Sequence, residues 1–264
     1  MTASTRHDDW FRIEESDIRR VANARGPRVS LVTIVVRQAW AEFHARVLDH
    51  AEFRRRRNEL ATEGYHRMSV HDFSWVNARQ AWANWRTIPR SLRAAALPSP
   101  VAAIDLCCGV GDSTAVLAAW LPSGSSILGL DVEERFIEFA RSRDFRDRAG
   151  EPAQVEFRAQ SVLEPFTEAR GERLQDSSVD LINSCGAVGC HFDLNAVHQL
   201  VEESDRVLRP GGVAMMDAGP HGVNPDQLRE IWTERGFEFI QMTRSCSVDR
   251  SRHVSVRKPR PKSQ

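Results

Sequence analysis

The residues with the clearest chemical meaning are an acid and a glycine turn that follow a short apolar run. Residues 101–104 are apolar, Asp105 closes the run, and the turn Cys-Cys-Gly-Val-Gly occupies residues 107–111. Gly109 and Gly111 lack a Cβ, so they can adopt positive φ and let a ligand approach the backbone closely. The helix that follows would offer free N–H groups at its N-terminus. This order predicts the first strand-loop-helix of a nucleotide-binding α/β fold.

A second acid, Asp131, lies 20 positions after Gly111 and ends another apolar run. That spacing suits an acid that pairs with a ribose, and NAD sites share it. Three features disfavour NAD. The third glycine of G-x-G-x-x-G is missing after Gly111, the chain ends in a predicted β-hairpin, and Asp105 would repel a pyrophosphate. A carboxylate at that point suits a ligand with an ammonium group.

Two histidines follow later apolar runs and are candidates for a general base. His191 ends the segment that follows the fourth predicted strand, and His221 lies four residues after Asp217 at the end of the fifth. Loops at the carboxyl ends of parallel strands are where ligands bind in such sheets. Gly186 and Gly189 indicate that the backbone approaches a ligand there. The alternative is that both histidines are loop residues without a chemical role.

The pattern of apolar runs predicts five strands that alternate with helices, followed by a hairpin. Alternation predicts a Rossmann-like, doubly wound, mostly parallel sheet, and the hairpin completes a seven-stranded sheet with one antiparallel strand. The predicted strands are residues 101–105, 126–131, 154–159, 178–183 and 213–217, with hairpin strands 237–244 and 250–257. The predicted helices are residues 113–121, 133–148, 193–208 (capped by Asp193) and 225–235. Pro210, Gly211 and Gly212 are predicted to form a turn.

The N-terminal part is predicted to be a helical cap, residues 1–98, that serves as a lid on a second domain, residues 99–264. Helical periodicity is strongest from residue 30, although a β-branched run leaves a strand open for the first half of that segment. A helix that starts at Ser69 or Asp72 is expected to stop at Thr87-Ile-Pro89. Four consecutive arginines, residues 54–57, indicate either a solvated helix face or a grip on an anionic partner.

Three motifs in order resemble the class I S-adenosylmethionine-dependent methyltransferases, over about residues 96–259. The run Asp105-Leu-Cys-Cys-Gly-Val-Gly-Asp112 resembles the first motif, in the form found among ubiquinone/menaquinone-type C-methyltransferases. Gly129-Leu-Asp131 resembles the second motif. Arg206-Val-Leu-Arg-Pro-Gly-Gly212 resembles the segment that enters the fifth strand.

The resemblance implies S-adenosylmethionine as the cofactor and assigns residues to it. Asp105 and the backbone of residues 107–111, Cys107 among them, would hold the amino-acid end. Asp131 would bond both ribose hydroxyls and Val132 would flank the adenine. Ser161 stands where the family often has an acid that contacts the adenine amine. Val162 and Asn183 complete the expected cofactor-binding set, and Cys107 replaces the first glycine of the family turn.

Composition and charge limit the other classes. Residues 1–96 hold 17 arginines against 11 acidic residues, whereas residues 97–243 hold 12 against 24, so no basic excess covers the predicted catalytic domain. This disfavours nucleic acid as the acceptor. No apolar run is long enough for a membrane span, and the N-terminus is acidic, so we expect a soluble cytoplasmic protein. Five cysteines at irregular spacing predict neither a disulfide framework nor a metal site.

We therefore expect a methyltransferase with a small-molecule acceptor. One alternative is a module that binds S-adenosylmethionine or a partner without catalysis, and the other is an RNA or protein methyltransferase that uses the arginines at 54–57. The N-terminal helices are also a candidate surface for a homodimer.

Overall fold

The computed structural model describes residues 69–70, 73–74, 77–219, 222–243 and 252–261. The chain divides into two compact units, Met1–Arg86 and Thr87–Gln264. The helices predicted before residue 69, the arginines at 54–57 and the dimer surface lie outside the described residues. The domain boundary expected at residue 98 and the lid role stay predictions.

The second unit is built on one seven-stranded sheet with the strand order β3-β2-β1-β4-β5-β7-β6. Strands β1 to β5 are parallel, and β7 lies antiparallel between β5 and β6. The predicted Rossmann-like fold and its terminal hairpin are therefore confirmed. The strands are β1 (Ala102–Leu106), β2 (Ser126–Asp131), β3 (Gln154–Ala159), β4 (Val179–Ser184), β5 (Leu208–Ala218), β6 (Glu238–Met242) and β7 (Arg252–Arg257).

Six described helices accompany the sheet, and two of them begin at side-chain caps that the sequence provides. Asp193 accepts a hydrogen bond from the Ala196 N–H at 2.8 Å, as predicted, and Asn224 forms a capping box with Gln227. None of the described helices is long and apolar enough to cross a membrane. The helices are α1 (Ala78–Ala95), α2 (Asp112–Trp120), α3 (Glu134–Arg141), α4 (Val188–His191), α5 (Leu194–Val207) and α6 (Pro225–Glu234).

The predicted helix stop at Thr87-Ile-Pro89 is wrong, because α1 continues through Pro89 to Ala95. A proline inside a helix removes one hydrogen bond and costs about 3 kcal/mol. The residues around it recover that cost through tertiary contacts. Ile88, Ser91 and Ala95 are fully buried, and the Ala95 carbonyl accepts a hydrogen bond from the Arg257 side chain.

Two other element boundaries differ from the prediction. Helix α3 ends at Arg141 instead of continuing to 148, because Phe145 turns inward and packs on Phe157 with ring centroids 5.3 Å apart. Strand β5 begins at Leu208, and the predicted Pro-Gly-Gly turn is an irregularity inside the strand, because Gly211 has a φ of 84° and the register with β4 shifts before Val213. There the Gly211 N–H donates to the Lys258 carbonyl at 2.9 Å and extends the pairing toward the chain end.

The core lies on both faces of the central strands, and it brings the polar strand ends to one edge. Every residue of β4 is buried, and the largest fully buried side chains include Trp232, Phe136 and Phe166. Parallel strands place their carboxyl ends at the same edge of a sheet. The ends of β1, β2, β4 and β5 therefore meet. Each of them carries a polar residue at or next to its last position: Asp105, Asp131, Ser184 and Asp217.

Candidate functional site

The turn between β1 and α2 is held in a left-handed conformation at three positions. Cys107, Gly109 and Gly111 have φ values of 53°, 54° and 86°. Cysteine adopts such a φ at a cost of about 1–3 kcal/mol, so the replacement of the family glycine by Cys107 is accommodated. At Gly111 a Cβ would also lie 2.9 Å from the Phe145 ring. Both the positive φ and the nearby Phe145 ring therefore require a glycine at Gly111.

Asp105, near the end of β1, is completely buried and makes three internal hydrogen bonds. Its Oδ2 accepts from the hydroxyls of Ser113 (2.7 Å) and Thr114 (2.6 Å), and its Oδ1 accepts from the Asn183 amide (2.8 Å). Burial raises the pKa of Asp105 to about 6, although the three hydrogen bonds oppose that rise. In this structure Asp105 ties β1 to the first turn of α2 and to β4.

The structure thus gives Asp105 and Asn183 a different immediate environment from the one expected of cofactor ligands. Both side chains have no exposed surface. A direct bond from Asp105 to the amino-acid end of a cofactor would require one of its three internal bonds to open. The predicted contact of these two residues with a ligand stays a prediction, whereas their role in positioning the turn is visible in the hydrogen bonds.

Asp131, at the end of β2, is partly exposed and is fixed by the glycine turn. Its Oδ2 accepts from the Gly109 N–H at 2.8 Å and its Oδ1 from the Glu133 N–H at 3.0 Å. Each carboxylate oxygen has a second lone pair that can accept a ligand hydroxyl. Val132 follows with 53 % of its surface exposed, which is unusual for a large apolar side chain in this structure. An acceptor pair beside an exposed apolar surface fits a ribose and an adenine.

The segment after β3 lies beside Asp131, because the Gln160 N–H donates to the Asp131 carbonyl at 2.8 Å. Ser161 is half-buried, and its hydroxyl accepts from the Leu163 N–H at 3.3 Å. Val162 is buried in the core. Ser161 therefore follows directly after a residue that contacts Asp131, and its contact with the adenine amine stays a prediction, while the Val162 side chain packs inward.

The loop between β4 and α5 is tied to the end of β5 by a residue to which sequence reasoning gave no role. Asp217, the penultimate residue of β5, is buried and accepts hydrogen bonds from the Ala187, Val188 and Gly189 N–H groups at 3.2, 3.2 and 2.9 Å. Burial raises the pKa of Asp217, and these N–H groups oppose the rise. The only sequence signal was an acid at the end of an apolar run.

Gly189 serves backbone packing, and its predicted close approach to a ligand stays a prediction. A Cβ at Gly189 would lie 2.5 Å from the Ala218 carbonyl carbon. The Gly222 N–H donates to the Gly189 carbonyl at 2.8 Å, which closes the contact. Gly186 has a φ of 96° and forms the turn that leads into α4. The small residues therefore press α4 onto the end of β5.

His191 ends α4 and is half-buried, on the same loop as the Asp217 contacts. Its position at the carboxyl edge of the sheet agrees with the prediction, and its role as a base stays a prediction. His221 lies outside the described residues. A third histidine, His253 on β7, was missed because the strand pattern gave no sign of its partners. It is buried and contacts Ser91 and the Ser184 carbonyl.

The site is electrostatically negative. Asp105, Asp131 and Asp217 surround Cys107, and burial together with these three carboxylates raises the pKa of its thiol well above the usual range. A raised pKa keeps Cys107 as a neutral thiol, which indicates packing and not nucleophilic chemistry. Among the described residues no cluster of histidine, cysteine and acidic side chains could hold a metal ion. The charge of the site favours a cationic ligand.

A family model described as a methyltransferase domain matches residues 103–212, which span β1 to the middle of β5. This match supports membership of the class I S-adenosylmethionine-dependent methyltransferase superfamily, and it covers less than half of the chain. The match also supports S-adenosylmethionine as the cofactor, and the sulfonium and ammonium charges of that molecule fit the negative site. The matched segment contains the glycine turn, Asp131, Ser161 and the loop that ends in His191.

Solved structures share the fold of this domain. The magnesium protoporphyrin IX methyltransferase ChlM from Synechocystis PCC 6803, with bound S-adenosylmethionine, is 16% identical over 80% of this chain and 97% of its own, with a TM-score of 0.53. A methyltransferase from Aquifex aeolicus is 15% identical over 71% of this chain and 96% of its own, with a TM-score of 0.53. One from Methanosarcina mazei is 14% identical over 64% of this chain and 98% of its own, with a TM-score of 0.50. No curated protein matches the chain in sequence.

Proposed function

We propose that the chain is an enzyme that transfers the methyl group of S-adenosylmethionine to a small-molecule acceptor. The observation that carries the proposal is the arrangement of Asp131 and exposed Val132 beside the glycine turn, to which Asp131 is hydrogen-bonded. This arrangement offers acceptors for two hydroxyls, an apolar surface for a base and a negative field for a cation.

The residues of the chain would hold the cofactor in three parts. Asp131 accepts the two ribose hydroxyls and Val132 covers one face of the adenine. Ser161 contacts the adenine amine with a neutral hydroxyl, which forms a weaker bond than an acid would. The turn from Cys107 to Gly111 holds the methionine end, supported from below by Asp105 and Asn183.

When bound, S-adenosylmethionine supplies a methyl group that is already activated by its sulfonium. The chain therefore has to align the acceptor with that methyl group and exclude water. A nucleophilic atom of the acceptor forms the new bond to the methyl carbon while the sulfur keeps the electron pair of the broken bond. His191 takes the proton if the nucleophile carries one. His221 is the second candidate for that role, and it lies outside the described residues.

The negative charge of the site supports a small acceptor over a nucleic acid, because three carboxylates would repel a phosphate backbone. ChlM has a similar fold, and its name gives a small molecule, magnesium protoporphyrin IX, as its substrate. We also propose that the protein is cytoplasmic. Ser161, in place of an acid, is the one feature that favours a non-catalytic binding module.

The test uses methyl-labelled S-adenosylmethionine with a panel of phenols, amines, thiols and carboxylic acids, alongside calorimetry. We expect transfer of label to at least one class. For that acceptor, His191→Ala should lower kcat by about 100-fold or more, with a Kd for S-adenosylmethionine within about twofold of wild type. The matched control is His198→Ala, at an exposed histidine on α5. Binding of the cofactor without transfer to any class would support the non-catalytic module instead.

A further inference from the structure

Four buried polar side chains form a continuous path from α1 to the loop that carries His191. Ser91 on α1 contacts His253 Nδ1 at 3.2 Å, and His253 Nε2 contacts the Ser184 carbonyl oxygen at 2.8 Å. The Ser184 hydroxyl contacts Asp217 Oδ1 at 3.3 Å. Each of the four residues is at most 1 % exposed.

The bonds of Asp217 replace the cap that α4 lacks in its own sequence. Ala187, at the position before the first turn, has no side chain that could accept a hydrogen bond, and α4 is only four residues long. The N–H groups at the start of a helix have no partner within the helix. Asp217 accepts three N–H groups of this segment from a neighbouring strand, so the position of α4 is set by the end of β5.

His253 acts at the other end of the same loop. Its backbone pairs with Asp217 across β5 and β7, so the two side chains are fixed in register. One proton arrangement satisfies both contacts of the ring: Nε2–H donates to the Ser184 carbonyl, and the Ser91 hydroxyl donates to Nδ1. The loop is therefore held at its start by His253 and along α4 by Asp217.

We propose that Asp217 and His253 are positioning residues that fix the loop of residues 185–191 at the acceptor side of the site. This inference rests on the proposed function, because it assigns the loop to the acceptor. The hydrogen bonds described for these two side chains go to the loop, to Ser184 and to α1, and not to the cofactor turn. Removal of the His253 side chain should therefore change acceptor binding while cofactor binding is preserved, whereas removal of the Asp217 charge also weakens the negative field around Cys107. His253 additionally makes the loop position depend on Ser91, so that a displacement of α1 is transmitted to it.

The first experiment measures amide hydrogen exchange in the full-length protein, with and without S-adenosylmethionine. In Asp217→Asn, exchange of the 187–189 amides should rise about 10- to 100-fold, the range expected when hydrogen bonds to a charged acceptor weaken. Exchange of residues 105–117 should stay within about threefold of wild type. The matched control is Asp180→Asn, because Asp180 is a buried carboxylate at the opposite end of β4. Unchanged exchange at 187–189 in Asp217→Asn would overturn the proposal.

The second experiment separates a positioning role from a general loss of stability. His253→Leu should raise exchange across 184–189, and His253→Gln should restore it to within about threefold, because a glutamine amide can donate to the Ser184 carbonyl. For an acceptor found in the labelled panel, His253→Leu should raise the acceptor KM at least about tenfold and leave the KM for S-adenosylmethionine within about threefold. Equal changes in both KM values, or no rescue by glutamine, would contradict the inference.

Failure of this inference is distinct from failure of the proposed function. If wild-type protein does not bind S-adenosylmethionine in calorimetry, the proposed function fails, while the exchange experiment still reports whether Asp217 and His253 hold the loop. If cofactor binding and methyl transfer are present but the loop exchange and the acceptor KM are unchanged in the variants, only the inference fails.

Discussion

Replacement of Asp105 by asparagine should remove a pH-dependent contribution to the free energy of unfolding. Asp105 is completely buried, and burial raises its pKa from 3.8 to about 6 in the folded protein. The folded state therefore binds a proton more tightly than the unfolded chain does. Stability from this carboxyl is fully present below about pH 4 and is lost as the pH rises through about 6. Asparagine does not titrate, so the variant lacks this slope.

The size of the effect follows from the difference between the two pKa values. A difference of about 2 pH units, at about 1.36 kcal/mol per unit, gives a total loss of about 3 kcal/mol, of which about 2 kcal/mol falls between pH 4.5 and pH 7.5. Two hydroxyl hydrogen bonds would be retained, because the side-chain oxygen of the introduced asparagine can accept from Ser113 and Thr114. The amide of Asn183 can rotate so that its oxygen accepts from the new amide. In the wild type, the Asn183 side-chain oxygen has no hydrogen-bond partner among the described residues. The variant is therefore expected to fold.

Urea unfolding followed by circular dichroism at pH 4.5, 5.5, 6.5 and 7.5 measures this difference. The stability of Asp105→Asn relative to wild type should increase by about 2 kcal/mol from pH 4.5 to pH 7.5. Asp144→Asn, which removes an exposed carboxylate, is the control and should follow the wild-type curve. Parallel curves for Asp105→Asn and wild type would refute the reasoning, because they would show that the buried carboxyl is ionised at no cost.

Two further substitutions test the packing of the site. Gly189→Ala should destabilise the protein by about 1–3 kcal/mol in the same urea assay, since its Cβ would lie 2.5 Å from the Ala218 carbonyl carbon; a stability equal to wild type would show that α4 is not pressed onto β5. Val132→Ser should weaken S-adenosylmethionine binding about 3- to 10-fold in calorimetry, because it removes apolar surface from the adenine site. Leu194→Ser, at a similarly exposed leucine on α5, should leave the Kd unchanged, and an equal loss in both variants would argue against an adenine contact at Val132.

The succession of strands along the chain and the glycine turn followed from the sequence because their signals are local. β2 and β3 have the predicted bounds, and the alternating pattern of β3 matches its place at the edge of the sheet. The sequence analysis placed Cys107 at a glycine position of the family turn, and its φ of 53° is a conformation that glycine adopts at the least cost. Apolar periodicity and glycine placement report such local requirements directly.

The features that sequence reasoning missed depend on contacts between distant residues. Pro89 is tolerated inside α1 because α1 makes tertiary contacts beyond it, and no local signal shows them. Asp217 and His253 acquire their roles only when β5 and β7 pair and the loop after β4 folds back over them. The backbone packing of Gly189 was missed because a close approach of backbone to backbone and of backbone to ligand require the same residue.

The most direct test of the central claim is calorimetry of S-adenosylmethionine with wild-type protein and with Asp131→Asn. Asparagine keeps the size of the side chain, but its amide group replaces one of the two oxygens that would accept the ribose hydroxyls. We expect wild type to bind and Asp131→Asn to bind at least about tenfold more weakly, with Asp144→Asn equal to wild type. No binding by the wild type, or equal binding by Asp131→Asn, would contradict the account.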